Sequence, residues 1–304
     1  MSRFRMLRLF ATVSIVALVA AACGGSGGES GGEGSGGGST AEGVCASVDT
    51  AGTDLLAQIC AAGTITVSTD PAYPPQSSLN DATGEYEGFD IDVATEIAKR
   101  LGVEIAWEAP SWDVLTAGNW NDRWEMSVGS MTPTNERQQV LWFTEPYYFT
   151  PAVVVVPADS TVADLSTDLD GMRVGVCSGC TYESYLDKSL AIEGFTFDFV
   201  IDDAQISGYD TDTTALQDLD LGRLDAVITS VTTAQGWIDA GSTAKIVGDP
   251  VFYEPLSVAL DKSATADPAS LLEAVDGILA EMHMDGTLTA FSQKWYGIDL
   301  TVQV

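Results

Sequence analysis

Basic residues are scarce in this 304-residue chain, which has 13 Lys and Arg against 44 Asp and Glu. This balance argues against a nucleic-acid partner, because phosphate contacts need a basic face. Histidine occurs once, as His283, so a Ser-His-Asp or Cys-His catalytic site would depend on that single residue. The sequence also lacks a phosphate-binding loop and a dinucleotide fingerprint. We therefore predict no cofactor and no enzyme of these classes.

Long apolar runs are equally few. The one long run, from Leu9 to Ala22, follows three of the arginines and ends in small residues. It is short for a membrane span and has the three parts of a secretory signal. The small residues that lead into Cys23 resemble the lipobox of bacterial lipoproteins, in which that Cys is lipidated. We predict a signal peptide over residues 1–22 and a lipidated Cys23, with ordinary secretion as the alternative.

The segment after Cys23 is nearly all Gly, Ser and Glu up to Gly43. Such a chain cannot bury apolar surface and behaves as a flexible coil with a reach of roughly 25 Å. Residues 23–43 are therefore predicted to tether a folded body to a lipid anchor. This places the protein outside the cytoplasm, anchored to the bacterial cell membrane at the cell surface or in the periplasm.

Cysteine is limited to five residues. With Cys23 assigned to lipid, an even number remains, and an oxidising compartment then favours disulfides. We predict the pairs Cys45–Cys60 and Cys177–Cys180. The Cys-x-x-Cys spacing of the second pair is also typical of a redox dithiol or of half a zinc site, but zinc would need two more ligands. No metal site is predicted.

Strand and helix patterns alternate from Gly63 onward. A β-branched strand at 64–68 leads to a turn-rich loop, and the apolar residues of 93–101 fall on one helical face. A second series of strands is predicted at 173–176, 197–201 and 226–229. This order predicts an α/β fold of βαβ units with mostly parallel sheets. Two such bodies joined by two extended segments would form a cleft, a usual place for small ligands.

Five motifs then occur in a fixed order along the chain. They are STDPAYPP (68–75), EGFDIDVATEIAKRLGV (87–103), SMTPTNERQQVLWFTEPYY (130–148), GRLDAVITS (222–230) and MDGTLTAFSQKWYG (284–297). Together they resemble the polar amino-acid family of extracytoplasmic solute-binding proteins of ABC importers, bacterial extracellular solute-binding protein family 3. The resemblance implies a two-lobe periplasmic-binding-protein fold of type II, with a ligand cleft that closes between the lobes.

The same resemblance implies the domain limits. We predict an N-terminal helical extension at 44–62 and a first lobe of residues 63–152 plus 256–304. The second lobe is predicted at 153–255, with hinge segments near 153–156 and 251–255.

The most specific site signal is Ser130-x-Thr132-x4-Arg137. In the family the matching Arg grips the ligand α-carboxylate, and the matching Ser and Thr add hydrogen bonds. The chemistry fits, because a guanidinium offers a planar fork to a carboxylate. Asp70 and Tyr73 lie where the family contacts the ligand side chain or amine, although Asp-Pro is also a common turn.

Four further residues are carried over from the family. Trp112 matches an aromatic that stacks on the ligand, and such a face suits a cation. Cys180 and Thr181 match a loop at a helix N-terminus that faces the ligand from the second lobe. Ser230 stands where the family usually has an Asp that binds the α-ammonium group.

Two departures from the family leave the ligand open. A hydroxyl at Ser230 cannot supply the charge of a carboxylate, so another acid must hold the amine or the ligand lacks one. The candidates for this role are Asp70, Glu108, Asp210 and Glu254. The second departure is an insert at 119–124, which lengthens a loop near the cleft.

The resemblance implies a monomeric receptor that captures a polar amino acid or related small solute. It would deliver this ligand to the permease and ATPase subunits of an ABC importer. One alternative is a cyclohexadienyl-dehydratase-like enzyme on the same fold, with Glu108 or Asp70 as acid or base. A ligand-sensing domain is the other alternative.

Overall fold

The computed structural model describes residues 43–302, which belong to one compact unit. The predicted signal peptide, Cys23 and nearly all of the predicted tether lie outside these residues. Within 43–302, no helix combines the length and the apolar character needed to cross a membrane.

The strands and α-helices are numbered in chain order. The strands are β1 (Thr64–Ser68), β2 (Ala72–Tyr73), β3 (Ser77–Leu79), β4 (Tyr86–Glu87), β5 (Glu104–Glu108), β6 (Met126–Met131), β7 (Leu141–Phe143), β8 (Tyr148–Pro157), β9 (Arg173–Cys177), β10 (Gln205–Tyr209), β11 (Ala226–Ser230) and β12 (Ala244–Asp261). The helices are α1 (Leu55–Ala62), α2 (Phe89–Leu101), α3 (Trp112–Thr116), α4 (Thr181–Leu186), α5 (Asp212–Asp220), α6 (Val231–Asp239), α7 (Ala269–Met284) and α8 (Thr287–Tyr296).

Lobe 1 is built on a sheet with the strand order β5-β1-β6-β12-β7. Strand β1 runs parallel to β5 and β6, and the end of β12 runs antiparallel to β6 and β7. Helices α2, α7 and α8 pack on this sheet because each presents an apolar stripe to it. In α2 the stripe includes Ile97, Ala98 and Leu101, and the helix ends at Gly102 in the left-handed conformation.

Lobe 2 repeats this arrangement with the strand order β10-β9-β11-β8-β12. Strand β9 runs parallel to β10 and β11, and β8 runs antiparallel to β11 and β12. Because the carboxyl ends of parallel strands meet at one edge of each sheet, the loops that follow them lie together at the cleft.

Two long strands, β8 and β12, pass from one lobe to the other. Residues 152–155 of β8 pair with β11 in lobe 2, and residues 257–261 of β12 pair with strands of lobe 1. Between these parts the two strands pair with each other, for example Thr150 with Glu254. The predicted domain limits fall within these strands, and the position of the hinges remains a prediction.

The strand predicted at 197–201 is wrong. This segment is irregular, and the strand of the second lobe begins eight residues later, as β10. The alternation of Phe197 and Phe199 with polar residues has another cause. Both rings belong to an aromatic cluster, in which Phe197 packs on Phe252 and Phe199 packs on Tyr185.

The insert at 119–124 belongs to the core of lobe 1. Trp120 and Trp124 are buried against Leu115 and Met131. Asp261 holds the loop by accepting hydrogen bonds from the backbone N–H groups of Asn119 and Trp120. The insert therefore supports the lobe and does not line the cleft.

Candidate functional site

A small cavity of about 30 Å³ lies in the cleft between the two lobes. In this closed arrangement the cavity is well below the roughly 300–1,000 Å³ that is usual for occupied small-molecule sites. The cavity is lined by Asp70, Tyr73, Trp112, Gly129, Ser130, Thr132, Arg137, Cys177, Cys180, Thr181, Tyr182, Asp212 and Glu254. Lobe 1, lobe 2 and the crossing strand β12 all contribute to it.

The structure brings together nearly all of the residues predicted for ligand binding. Those that line the cavity are Asp70, Tyr73, Trp112, Ser130, Thr132, Arg137, Cys180 and Thr181. Ser230 is not among them. Its hydroxyl is buried beneath the cavity, where it accepts a 3.0 Å hydrogen bond from the Gln76 amide of the other lobe. It also caps α6 by accepting from the Thr233 N–H.

Arg137 is a buried cation that has no ion-pair partner among residues 43–302. Its guanidinium donates to the carbonyl oxygens of Thr132 at 3.0 Å and Gly179 at 2.9 Å. Burial lowers the pKa of Arg137 to about 10, although Glu254 and Glu136 oppose this effect. Carbonyl groups thus accept hydrogen bonds from two of the five N–H donors of the guanidinium. The remaining N–H groups are available to an anion.

Trp112 closes the cavity beside Arg137. The guanidinium carbon of Arg137 lies 5.1 Å from the centre of the Trp112 ring, within the range of a cation–π contact. The Trp112 indole N–H donates to the Gly179 carbonyl at 3.3 Å. Two lobe 1 side chains therefore contact the same carbonyl of lobe 2.

Glu254 lies where the two lobes meet. Its Oε2 accepts hydrogen bonds from the hydroxyls of Thr132 at 2.6 Å and Thr181 at 2.7 Å. Burial raises the pKa of Glu254, while these hydrogen bonds and the charge of Arg137 oppose the rise. Of the candidates to replace the family Asp, Glu254 and Asp70 line the cavity, whereas Glu108 and Asp210 are exposed and do not.

Asp70 and Asp212 add two more carboxyl groups to the cavity. Burial raises the pKa of Asp70, and it raises the pKa of Asp212 to about 7. The negative charges of Asp70 and Glu254 raise the pKa of Asp212 as well. Arg137 is the only basic residue among those that line the cavity. The site is therefore acidic in balance.

Ser130 lines the cavity, and its hydroxyl is hydrogen-bonded within lobe 1. The residue has a φ of 53°, which non-glycine residues rarely adopt. Its hydroxyl donates to buried Asp90 at 2.7 Å and accepts from Tyr148 at 2.6 Å. Its N–H donates to the Tyr147 hydroxyl at 3.0 Å. Asp90 and two tyrosines thus hold this part of the cavity wall in an unfavourable backbone conformation.

The disulfides Cys45–Cys60 and Cys177–Cys180 are both present, as predicted. Cys177–Cys180 forms part of the cavity wall. Its sulfurs and a carboxylate oxygen of Asp212 lie within 4.8 Å of one another, a spacing that suits a metal ion. Both sulfurs are already bonded to each other, so this group does not offer the thiolate ligands of a zinc site.

The cavity residues that sequence reasoning missed are Gly129, Tyr182 and Asp212, whereas Cys177 was predicted as a disulfide partner and not as a cavity residue. Tyr182 follows Thr181 in α4, and its hydroxyl lies 3.1 Å from that of Tyr73 across the cleft. A signal for Asp212 was present, since it lies three residues after the parallel strand β10, in a loop that faces the cleft. It was missed because the preceding strand was placed at 197–201.

Two α/β lobes, two crossing strands and a polar cleft between the lobes define a two-lobe binding protein of the periplasmic type, and the predicted fold class is confirmed. Residues 65–298 match the family of bacterial extracellular solute-binding proteins, family 3. The chain belongs to this family.

The relatives are binding proteins. The L-cystine-binding protein TcyJ of Escherichia coli strain K12 is 32% identical over 250 residues, which cover 81% of this chain and 88% of the relative. A solved substrate-binding protein of an amino acid ABC transporter is 28% identical with a TM-score of 0.67, covering 77% of this chain and 99% of the other.

A third similar structure bears on the enzyme alternative. It is the ancestral amino acid-binding protein AncCDT-1, a precursor of cyclohexadienyl dehydratase. It is 28% identical with a TM-score of 0.69, covering 79% of this chain and 99% of that protein. This relative is itself described as a binding protein, so the similarity favours binding over the enzyme alternative.

Proposed function

We propose that this protein is the receptor of an ABC importer for an amino acid, which it binds between its lobes and presents to a membrane permease. The observation that carries the proposal is the buried, unpaired guanidinium of Arg137 in the cleft. Buried charges in proteins are normally paired, so a lone guanidinium here favours a ligand with an anionic group. The names of the relatives, which refer to L-cystine and to amino acids, support an amino acid as that ligand.

In this proposal Arg137 binds the α-carboxylate and Glu254 binds the α-ammonium group. The two side chains are neighbours, because Thr132 contacts both of them: its carbonyl accepts from Arg137 and its hydroxyl donates to Glu254. Neighbouring groups of opposite charge suit the two charged groups on an amino acid Cα. Glu254 then replaces the family Asp that is absent at Ser230.

Closure of the lobes is supported by hydrogen bonds that cross the cleft. Besides the Gln76–Ser230 bond, Thr213 donates to the Ala72 carbonyl at 3.0 Å, and Thr233 donates to the Pro74 carbonyl at 3.1 Å. We infer that bending of β8 and β12 would break these bonds and open the cavity to solvent.

We further infer that the receptor is anchored to the membrane through lipid on Cys23. The support is the pattern of the first 43 residues, a signal-like run, a cysteine and a Gly-rich tether. Mass spectrometry of the mature protein from the membrane fraction should find an N-terminal, lipid-modified Cys23. An unmodified Cys23, or cleavage at another position, would contradict the anchor.

A thermal-shift screen of the mature protein across the L-amino acids, followed by calorimetric titration of the hits, tests the receptor function. At least one amino acid should raise the unfolding temperature through mass action and bind with 1:1 stoichiometry. Prephenate and arogenate serve as controls for the enzyme alternative. Turnover of either compound, or the absence of binding by every amino acid, would overturn the proposal.

A further inference from the structure

Asp212 is a cavity residue whose carboxyl group is only partly satisfied by the protein, since the Thr229 hydroxyl lowers its pKa but one oxygen lacks a partner. It is the first residue of α5 and is only 5% exposed. Its Oδ1 is buried and has no hydrogen-bond partner among the residues that the structure describes. A buried carboxylate oxygen without a partner is costly, and such groups in native proteins usually serve a ligand or an ion. This orphan oxygen therefore indicates that a donor is supplied by the ligand.

The surroundings of Asp212 favour a positively charged donor. The charges that act on it come from Asp70 and Glu254, and both are negative. The neighbouring sulfurs of Cys177 and Cys180 are joined in a disulfide, which has no hydrogen to donate. The nearby tyrosine hydroxyls already pair with each other across the cleft. A neutral ligand group would leave this acidic cluster without a cation.

The number of acidic and basic side chains in the cavity wall indicates the class of ligand. The cavity wall has three carboxyl groups, those of Asp70, Asp212 and Glu254, and one guanidinium. The α-carboxylate of an amino acid would neutralise Arg137. Its α-ammonium group would neutralise one carboxylate, that of Glu254. A neutral side chain would then leave Asp70 and Asp212 without a cation, whereas a positively charged side chain would pair with them.

We propose that Asp212 determines the specificity of the cleft: together with Asp70 it binds an ammonium or guanidinium group of the ligand side chain, so the ligand is a cationic amino acid. This inference rests on the receptor function proposed above and adds the class of its ligand. It also assigns roles to all three acids, with Glu254 on the α-ammonium group and the other two on the side chain.

Calorimetric titration of the mature protein with L-arginine, L-ornithine and L-citrulline tests the inference. Citrulline has nearly the shape of arginine but carries no side-chain charge, so the comparison isolates the cation. L-arginine or L-ornithine should bind at least about 100-fold more tightly than L-citrulline, since only a cationic side chain forms charge-assisted hydrogen bonds with these carboxyl groups. Asp212→Asn should reduce this ratio at least about tenfold, and exposed Asp210→Asn is the matched control that should preserve it.

A second readout separates direct contact from a structural role. Asp212 is partly protonated near pH 7, so a cation that binds it displaces a proton. At pH 7 the binding enthalpy of the wild-type protein should therefore differ between phosphate and Tris buffers, which take up protons with different heats. In Asp212→Asn this difference should shrink.

The possible results are distinguishable. Binding of L-citrulline or L-glutamine as tight as that of every cationic amino acid would overturn the inference and leave the receptor function intact. An unchanged ratio in a folded Asp212→Asn protein would also overturn it. If no amino acid binds, the receptor function itself fails. The comparison of ligands on the wild-type protein needs no variant, so it decides the inference even if Asp212→Asn does not fold.

Discussion

Replacing Arg137 with Ala is expected to abolish amino-acid binding, with an affinity loss of at least about 100-fold. The loss of one partner from a buried charge pair costs roughly 2–5 kcal/mol, and here the variant also leaves an acidic cavity facing the ligand carboxylate. Calorimetric titration with the best ligand from the amino-acid screen measures the effect. Circular dichroism should show that the folded structure is retained, because Arg137 lies at the cleft and not in the apolar core of either lobe.

Arg137→Lys is the matched control for this variant. It keeps the positive charge but lacks the planar fork that binds a carboxylate with two parallel hydrogen bonds. We expect an affinity between those of the wild-type and Arg137→Ala proteins. If Arg137→Ala binds as tightly as the wild type, Arg137 does not hold the ligand, and the assignment of the carboxylate site must be abandoned.

The residues that could be predicted from the sequence are those in contiguous motifs. Arg137 and Thr132 belong to one motif around the end of β6, so their common position in the cavity follows from short-range spacing. The same applies to Cys180 and Thr181 at the start of α4. In each case the strand and the turn after it are contiguous in the sequence. A correctly predicted strand therefore also gives the position of the residues in the turn.

Asp212 shows where this reasoning fails. Strand β10 has the sequence QISGY and is mostly exposed, so its pattern is weak, whereas the Phe residues of 197–201 alternate like a strand. Those rings alternate because they join an aromatic cluster that includes Phe252, more than 50 residues away in the chain. A tertiary contact thus resembled a local strand pattern, and Asp212, three residues after the true strand, was overlooked.

Ser230 shows a second limit. Its position at the end of β11 was predicted correctly, but its hydroxyl pairs with Gln76, which is separated from it by 154 residues. Both partners are ordinary polar residues, and nothing in their local sequence marks them as neighbours. Side-chain pairing across the two lobes can be found only in the folded protein.

The free energy of unfolding is expected to fall as the pH rises from 5 to 8, and Asp90 should account for much of this change. Asp90 is fully buried in lobe 1, where it accepts hydrogen bonds from Ser130 and Tyr147, each at 2.7 Å. Burial raises its pKa to about 7, and the negative charge of Asp70 adds to the rise. The groups that face Asp90 are the hydroxyls of its hydrogen-bond partners and nearby tyrosines, and no cation contributes to its pKa.

The sign follows from proton binding. An Asp in the unfolded chain titrates near pH 4, so between about pH 4 and 7 the folded protein holds a proton that the unfolded chain has lost. The stabilisation is therefore complete below the unfolded pKa and is lost as the pH rises through the folded pKa. From pH 5 to pH 8 this is about two pKa units, or roughly 3 kcal/mol.

Urea unfolding of ligand-free protein at pH 5, 6, 7 and 8 tests this expectation. Asp90→Asn stays neutral at every pH, so its stability should change with pH by roughly 3 kcal/mol less than that of the wild type. Asp212, whose pKa is also about 7, should account for a similar slope that remains in this variant. Asp210→Asn removes an exposed carboxylate and should leave the wild-type slope unchanged. If Asp90→Asn also retains the full slope, Asp90 is ionised in the folded protein. Its two hydrogen bonds, not a bound proton, would then hold Ser130 in the wall of the cleft.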